Sequence, residues 1–169
     1  MKPAVNAAPK RVAELGVIVR AHHLLIGVPA RYVDRLVLPH EVREVRVGAP
    51  GVVEAAGRSY AAWDLGVLLG LPLLSSAWVL ARAPRPSGDE VRVALRTGPC
   101  VVVERLPALT PIPAGAQTTR RGALAGGFAA HDARGDAIFG LVLDLSRLFH
   151  PRELAACSPP SGRLDEAIG

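Results

Sequence analysis

Two short segments of the chain follow the same pattern, Asp-Leu-x-x-Leu followed by Leu or Phe. They span residues 64–69 and 144–149, so their aspartates are 80 residues apart, and each follows an apolar run typical of a β-strand. An Asp at the end of a strand can accept hydrogen bonds from the first backbone N–H groups of a helical turn, whose apolar residues then share one face. We therefore predict a protein of two similar halves, with Asp64 and Asp144 as structural caps; a chance match in a Leu-rich chain is the alternative.

The rest of the sequence favours strands over helices. Valine-rich runs are bounded by the 17 Gly and 15 Pro residues, which are spread along all 169 positions. The pattern predicts an all-β protein with hairpins at residues 17–28, 52–64, 77–95 and 128–143, a further strand at 100–104 and an exposed strand or edge at 41–47. Residues 137–143 are apolar on both faces and should form a central strand. Residues 29–37 could begin with a helical turn or stay extended.

Composition also bounds the organisation of the chain. We expect a flexible leader at residues 1–14, one domain at 15–153 and a loose C-terminal tail at 154–169, with a long loop at 107–127. Residues 61–81 are long enough to cross a bilayer, but Asp64 and several Gly and Pro residues favour buried core instead. The first ten residues have no continuous apolar stretch typical of a secretory signal. These features favour a cytoplasmic protein without direct membrane insertion.

The net charge of +5 raises the question of nucleic-acid binding. The arginines are scattered, usually with Asp or Glu nearby, and the chain has only seven aromatic residues on which bases could stack. Arginine is therefore expected to supply solubility and salt bridges. A basic small-barrel module that binds nucleic acid remains the alternative function.

Catalytic and metal-binding patterns are nearly absent from the sequence, and we predict no catalytic residue, cofactor or metal. His22 and His23 are adjacent, so on a strand they would point to opposite faces and share a metal poorly. His131-Asp132 could form a base and its orienting group, but a turn-forming Asp at a hairpin tip is the simpler explanation. Cys100 and Cys157 match no metal or redox spacing.

Residues 51–72 resemble the CheW-like domain pattern, in which G-V-(I/V)-N-x-R-G-x-x-x-P-V-x-D-L-x-x-x-L-G recurs. The opening hairpin and the closing segment 140–145 fit the same family, so the resemblance covers about residues 17–149. It implies an all-β fold of two intertwined, five-stranded SH3-like barrels around a shared core, with short helical turns. Such proteins are non-enzymatic adaptors that link a CheA-type histidine kinase to the cytoplasmic tips of chemoreceptors, or bind other CheW-like domains.

The resemblance also implies where such an interface would lie and where this chain departs from the family. We expect the contact at the first motif's hairpin, formed by Val52, Val53, Glu54, Ala56, Gly57 and Arg58. Glu54 stands where the family pattern has Asn, and Ala56 stands where it has the Arg of the receptor-facing loop. The loss of a guanidinium donor at position 56 predicts altered receptor docking.

Overall fold

A computed structural model describes residues 14–48, 50–72, 74, 76–112 and 123–156. These residues form eleven strands: β1 (Leu15–Ala21), β2 (Leu24–Pro29), β3 (Val33–Val37), β4 (Val42–Arg46), β5 (Gly51–Ala55), β6 (Arg58–Asp64), β7 (Ala77–Pro84), β8 (Glu90–Thr97), β9 (Cys100–Arg105), β10 (Leu124–His131) and β11 (Ala137–Leu143). The helices are short: α1 (Leu65–Leu68), α2 (Leu145–Leu148), α3 (Pro151–Ala156) and two 3-10 turns, Ala30–Tyr32 and Pro39–Glu41. The predicted all-β class with short helical turns is confirmed.

The strands form two sheets, one with five strands and one with six. The first has the order β10-β11-β2-β1-β9, and the second has the order β3-β7-β8-β6-β5-β4. Read from β9 to β10, the first sheet has the same arrangement of strands as β3-β7-β8-β6-β5 in the second sheet. Strand β4 adds a sixth strand at the edge of the second sheet. The resemblance to the CheW-like pattern implied five strands per barrel, and the charge alternation of residues 41–47 predicted an exposed strand or edge. The edge is as predicted, but the charged, Val-containing β4 pairs with β5 and so enlarges the second sheet.

The two halves of the chain exchange strands. Hairpin β1–β2 lies beside β11, and hairpin β7–β8 lies beside β6; both of these contacts are parallel. The strand that follows each hairpin pairs with the first strand of the other hairpin, so that β3 joins β7 and β9 joins β1. Each sheet therefore contains strands from both halves, and the intertwined arrangement implied by the resemblance to the CheW-like pattern is confirmed.

The two Asp-Leu motifs meet in one core. Their Leu and Phe side chains belong to a single buried cluster and are at most 5% exposed: Leu65, Leu68, Leu69, Leu145, Leu148 and Phe149. Burial of a large apolar side chain contributes about 1.5–3 kcal/mol relative to exposure. In each motif these apolar residues stand at i, i+3 and i+4, so they lie on the side of the short helix that faces the core.

Some boundaries differ from those predicted. Residues 29–37 form both alternatives in succession, a 3-10 turn and then extended β3. Helix α3 runs to Ala156 and buries Leu154, which is 3% exposed. The division of the chain into a leader at residues 1–14, a domain at 15–153 and a tail at 154–169 stays a prediction. Strand β10 begins at Leu124, inside the range 107–127 predicted for a long loop, and residues 113–122, 1–13 and 157–169 lie outside the described residues. Within the described ranges, no helix is long and apolar enough to span a membrane.

Candidate interaction surface

The predicted interface residues lie on the β5–β6 hairpin, close to the edge of the six-stranded sheet. The tight turn of this hairpin, which was predicted at residues 52–64, consists of Ala56 and Gly57. Both residues have positive φ angles, 50° and 73° respectively. Two successive residues with φ > 0 are typical of β-hairpins with a two-residue loop, because the twist of such a turn matches the twist of the flanking strands. The turn and the following Arg58 are exposed to solvent.

The strand before this turn divides its side chains between core and surface. Val53 is 1% exposed and packs in a second buried cluster with Tyr60 and Trp78. Val52 and Glu54, which alternate with it, are half-buried on the other face. Val53 was expected to be an interface residue, but its side chain is in the core and is not available to a partner. The residues of the predicted set that are at least partly exposed are therefore Val52, Glu54, Ala56, Gly57 and Arg58.

Glu54 is held by an arginine on the neighbouring edge strand. Arg43 on β4 stands directly opposite Glu54 on β5 in the strand register. Glu54 Oε2 accepts hydrogen bonds from Arg43 Nε at 3.1 Å and from Arg43 Nη2 at 2.5 Å. The two side chains are 73% and 41% exposed, so this ion pair orients charges on the surface and adds at most about 1 kcal/mol of stability.

Two shallow depressions lie on either side of Val42. One, of about 260 Å³, is bounded by His40 and Arg43 on one side and by the Ala56-Gly57 turn on the other. The second, of about 320 Å³, contains Trp78 and Arg96. We use the name hairpin surface for Val52, Glu54, Ala56, Gly57 and Arg58 together with His40 and Arg43. Sequence reasoning missed His40 and Arg43, although the charge alternation of β4 marked this strand as an exposed neighbour.

In the second depression an arginine side chain lies over a tryptophan ring. The guanidinium carbon of Arg96 lies 4.6 Å from the centre of the Trp78 ring, and Arg96 also forms an ion pair with Glu44. Trp78 is 5% exposed, so the arginine covers the ring. A guanidinium held over an aromatic face between strands is a rigid, preoriented donor.

A group of exposed apolar side chains lies next to the hairpin surface. Among the described residues, seven large apolar side chains are notably exposed, and three of them lie within residues 38–47. These are Leu38, Val45 and Val47, which are 54%, 53% and 88% exposed. Apolar residues surrounded by charged groups are typical of surfaces that bind other proteins. The sequence alone did not single out these three residues.

The two motif aspartates are engaged in backbone contacts. Asp64 Oδ1 accepts from Val67 N at 3.1 Å, and its Oδ2 accepts from Leu74 N at 2.9 Å. Asp144 Oδ1 accepts from Ser146 N at 3.0 Å and also from the Ser146 hydroxyl. Each carboxylate thus acts as a helix cap, and Asp64 additionally ties the following loop to α1.

The histidine-containing motifs are located at turns. His22 Nε2 lies 3.0 Å from Pro72 O. Asp132 follows β10, and its Oδ1 accepts from the backbone N–H groups of Arg134 and Asp136, as expected of a turn-forming Asp. Across the described parts of the chain, no group of three or more His, Cys, Asp or Glu side chains is arranged to hold a metal ion.

Comparison with known proteins identifies the fold. No family model matches the sequence, and no curated protein matches it. A search of solved structures matches 14 chains. One of them is the scaffolding protein TtCheW from Thermoanaerobacter tengcongensis, to which this chain is similar with a TM-score of 0.60 and 15% sequence identity. The similarity covers 83% of this chain and 90% of that one, so the two share the CheW-like fold.

Proposed function

We propose that this protein is a non-enzymatic scaffold of a chemosensory signalling array. The observation that carries the proposal is the fold shared with a scaffolding protein over 90% of that protein's length. The partners that we propose are a CheA-type histidine kinase, the cytoplasmic tip of a chemoreceptor, or other CheW-like domains. This agrees with the resemblance of residues 51–72 to the CheW-like pattern.

The hairpin surface is the proposed contact. Its exposed turn lines one of the two depressions, and the exposed apolar side chains of Leu38, Val45 and Val47 lie on the neighbouring segment. A surface of this kind combines apolar area with a charged rim, which is the usual composition of a protein–protein interface. We propose that Arg58 and Arg43 supply the guanidinium groups there, since position 56 has none.

The substitution of the family's Arg by Ala56 leads to a specific expectation about receptor docking. Ala56 is exposed at the tip of the turn, so an arginine at this position would extend into solvent toward a partner. Glu54, in place of Asn, is paired with Arg43 and presents a negative charge beside the same turn. We therefore propose that this chain binds a receptor of altered charge or relies mainly on its kinase contact.

Sedimentation velocity with the purified chain, the cognate kinase and a soluble receptor fragment tests the proposal. We expect a complex with at least one of them at tens of micromolar, weakened at least fivefold by Arg58→Glu. Arg134→Glu is the matched control, because Arg134 is an exposed arginine at the β10–β11 turn, outside the hairpin surface. The absence of any complex with array components would contradict the scaffold function.

The alternative function, nucleic-acid binding, is tested with the same protein. Seven arginines in the described part of the chain form ion pairs with carboxylates: Arg31, Arg35, Arg43, Arg82, Arg85, Arg96 and Arg147. Such pairing reduces the charge available to phosphates. Salt-dependent retention on DNA or RNA, with no array complex, would favour this alternative.

A further inference from the structure

A pocket of about 340 Å³ lies on the molecule where α2, α3 and the β7–β8 hairpin meet. Its floor contains Leu148, Phe149 and Leu154, which are at most 4% exposed. The volume is within the range of about 300–1,000 Å³ that is typical of ligand sites. The floor belongs to the main core, so the pocket is anchored in a rigid part of the fold.

The walls of the pocket are proline-rich. Pro84 and Pro86 come from the β7–β8 hairpin, and Pro151 begins α3. Proline has a fixed φ angle and no backbone N–H, so these walls are stiff and offer no hydrogen-bond donors to the backbone of an added strand. They are suited to the insertion of an apolar side chain rather than to β-strand addition.

The rim of the pocket carries cationic and donor groups. Arg147 and His150 line it, and none of the described lining residues is acidic. Arg147 is 73% exposed, and its Nε is 3.7 Å from Asp144 Oδ2, a long contact to a carboxylate that already caps α2. His150 Nδ1 accepts from Arg152 N at 3.2 Å, which places the proton of the neutral ring on Nε2. Glu153, the acidic residue nearest to His150 in the sequence, accepts a hydrogen bond from His150 N.

From this combination we propose that the pocket docks a short acidic segment of a partner protein. One large apolar side chain of the segment fills the floor over Leu148 and Phe149, and a flanking carboxylate pairs with Arg147 and hydrogen-bonds to His150. We propose an acidic segment because its carboxylate is complementary in charge to the cationic rim, whereas an apolar side chain alone would make no polar contact with Arg147 or His150. The site is separate from the hairpin surface and does not depend on the proposed scaffold function.

Fluorescence anisotropy with a labelled peptide, acetyl-Asp-Glu-Leu-Phe-Asp-Glu-amide, tests the proposal on the full chain. We expect saturable binding that weakens at least tenfold when Leu-Phe is replaced by Ala-Ala, or when the acids are replaced by Asn and Gln. Arg147→Glu is expected to weaken binding at least tenfold, whereas Arg147→Lys remains within about threefold. Arg134→Glu is the matched charge control and changes the affinity less than twofold.

Further readouts keep the result interpretable. Arg147 is mostly exposed, so thermal unfolding of Arg147→Glu should match the parent protein and exclude a folding defect. Equal binding of the parent and Arg147→Glu, or no saturable binding with the chain at millimolar concentration, would overturn the proposal. Concentration-dependent self-association that is abolished by Arg147→Glu would instead assign the pocket to a second copy and would also overturn it. Arg58→Glu should leave peptide binding unchanged, which separates this site from the hairpin surface.

Discussion

The rings of Trp63 and Phe149 lie with their centroids 4.4 Å apart and their planes inclined by 43°. Trp63 directly precedes the first capping aspartate, and Phe149 is the last residue of the second Asp-Leu motif. The contact therefore joins the first copy of the repeated pattern to the second. Tilted aromatic pairs at this distance are worth about 0.5–1.5 kcal/mol beyond the area they bury.

Truncation of Phe149 should be strongly destabilising. We expect Phe149→Ala to lower the free energy of unfolding by about 3–5 kcal/mol, because it leaves a cavity against Trp63 in the main core. Phe149→Leu introduces the residue that occupies the matching position, Leu69, in the first motif, and should cost less than half as much. Urea unfolding followed by tryptophan fluorescence measures both. A loss below 1 kcal/mol for Phe149→Ala would show that the contact is not part of the stabilising core.

The two caps should differ in strength. Both oxygens of Asp64 accept backbone hydrogen bonds, one from α1 and one from the loop at Leu74, whereas the backbone contact of Asp144 is with Ser146 N. We expect Asp144→Ala to cost about 1 kcal/mol and Asp64→Ala about 2 kcal/mol. Denaturant unfolding of the two variants measures the difference. The reverse order would contradict a role for the Leu74 contact.

Substitution of the turn residue Ala56 should increase the stability of the protein. Its φ of 50° lies in the left-handed region, which costs a residue with a Cβ roughly 1–2 kcal/mol relative to glycine. Ala56→Gly and Ala56→Asn should therefore raise the free energy of unfolding by about 0.5–1 kcal/mol, whereas Ala56→Val should lower it. Chemical unfolding is the measurement, with Ala137→Asn at an exposed strand position as the control. A loss of stability with both glycine and asparagine would contradict this conformation.

The turn between β7 and β8 contains a carboxyl group with a lowered pKa, so we expect a local effect of pH on stability. The hydrogen bond from Ser87, assisted by the charge of Arg85, lowers the pKa of Asp89 below its usual value. A lowered carboxyl pKa adds stability above the usual Asp pKa, and this contribution is lost as the pH falls through the native value. Ser87→Ala should move the pKa of Asp89 back toward the ordinary range, as measured by NMR titration. Ser59→Ala, at an exposed position outside this turn, is the control and should leave that pKa unchanged.

Local physical chemistry explains which parts of the fold could be predicted from the sequence. The capping aspartates, the hairpins and the exposed edge at β4 follow from interactions between residues close in the chain. The exchange of strands between the halves depends on pairings such as β3 with β7, which no local pattern specifies. It could be expected only from the resemblance to the CheW-like pattern.

The candidate site was predicted less completely for a related reason. The Gly51–Asp64 hairpin was located correctly, but the alternation of β5 could not say which face is covered by the other strands. Val53 therefore proved to be buried, and the contribution of Arg43 became visible only through the register of β4 with β5. The pocket at Phe149 and Arg147 was also missed, because its walls come from segments about 60 residues apart in the sequence.

The exchange of strands has a consequence for synthesis on the ribosome. Leu25 on β2 pairs with Gly140 on β11, so the first hairpin must wait for 115 further residues before its neighbour emerges. Until then the edge of β2 that pairs with β11 has no neighbouring strand in its sheet. The five-stranded sheet is therefore completed only near the end of synthesis, whereas all strands of the six-stranded sheet are present once β8 has emerged, and neither half expressed alone can complete a sheet.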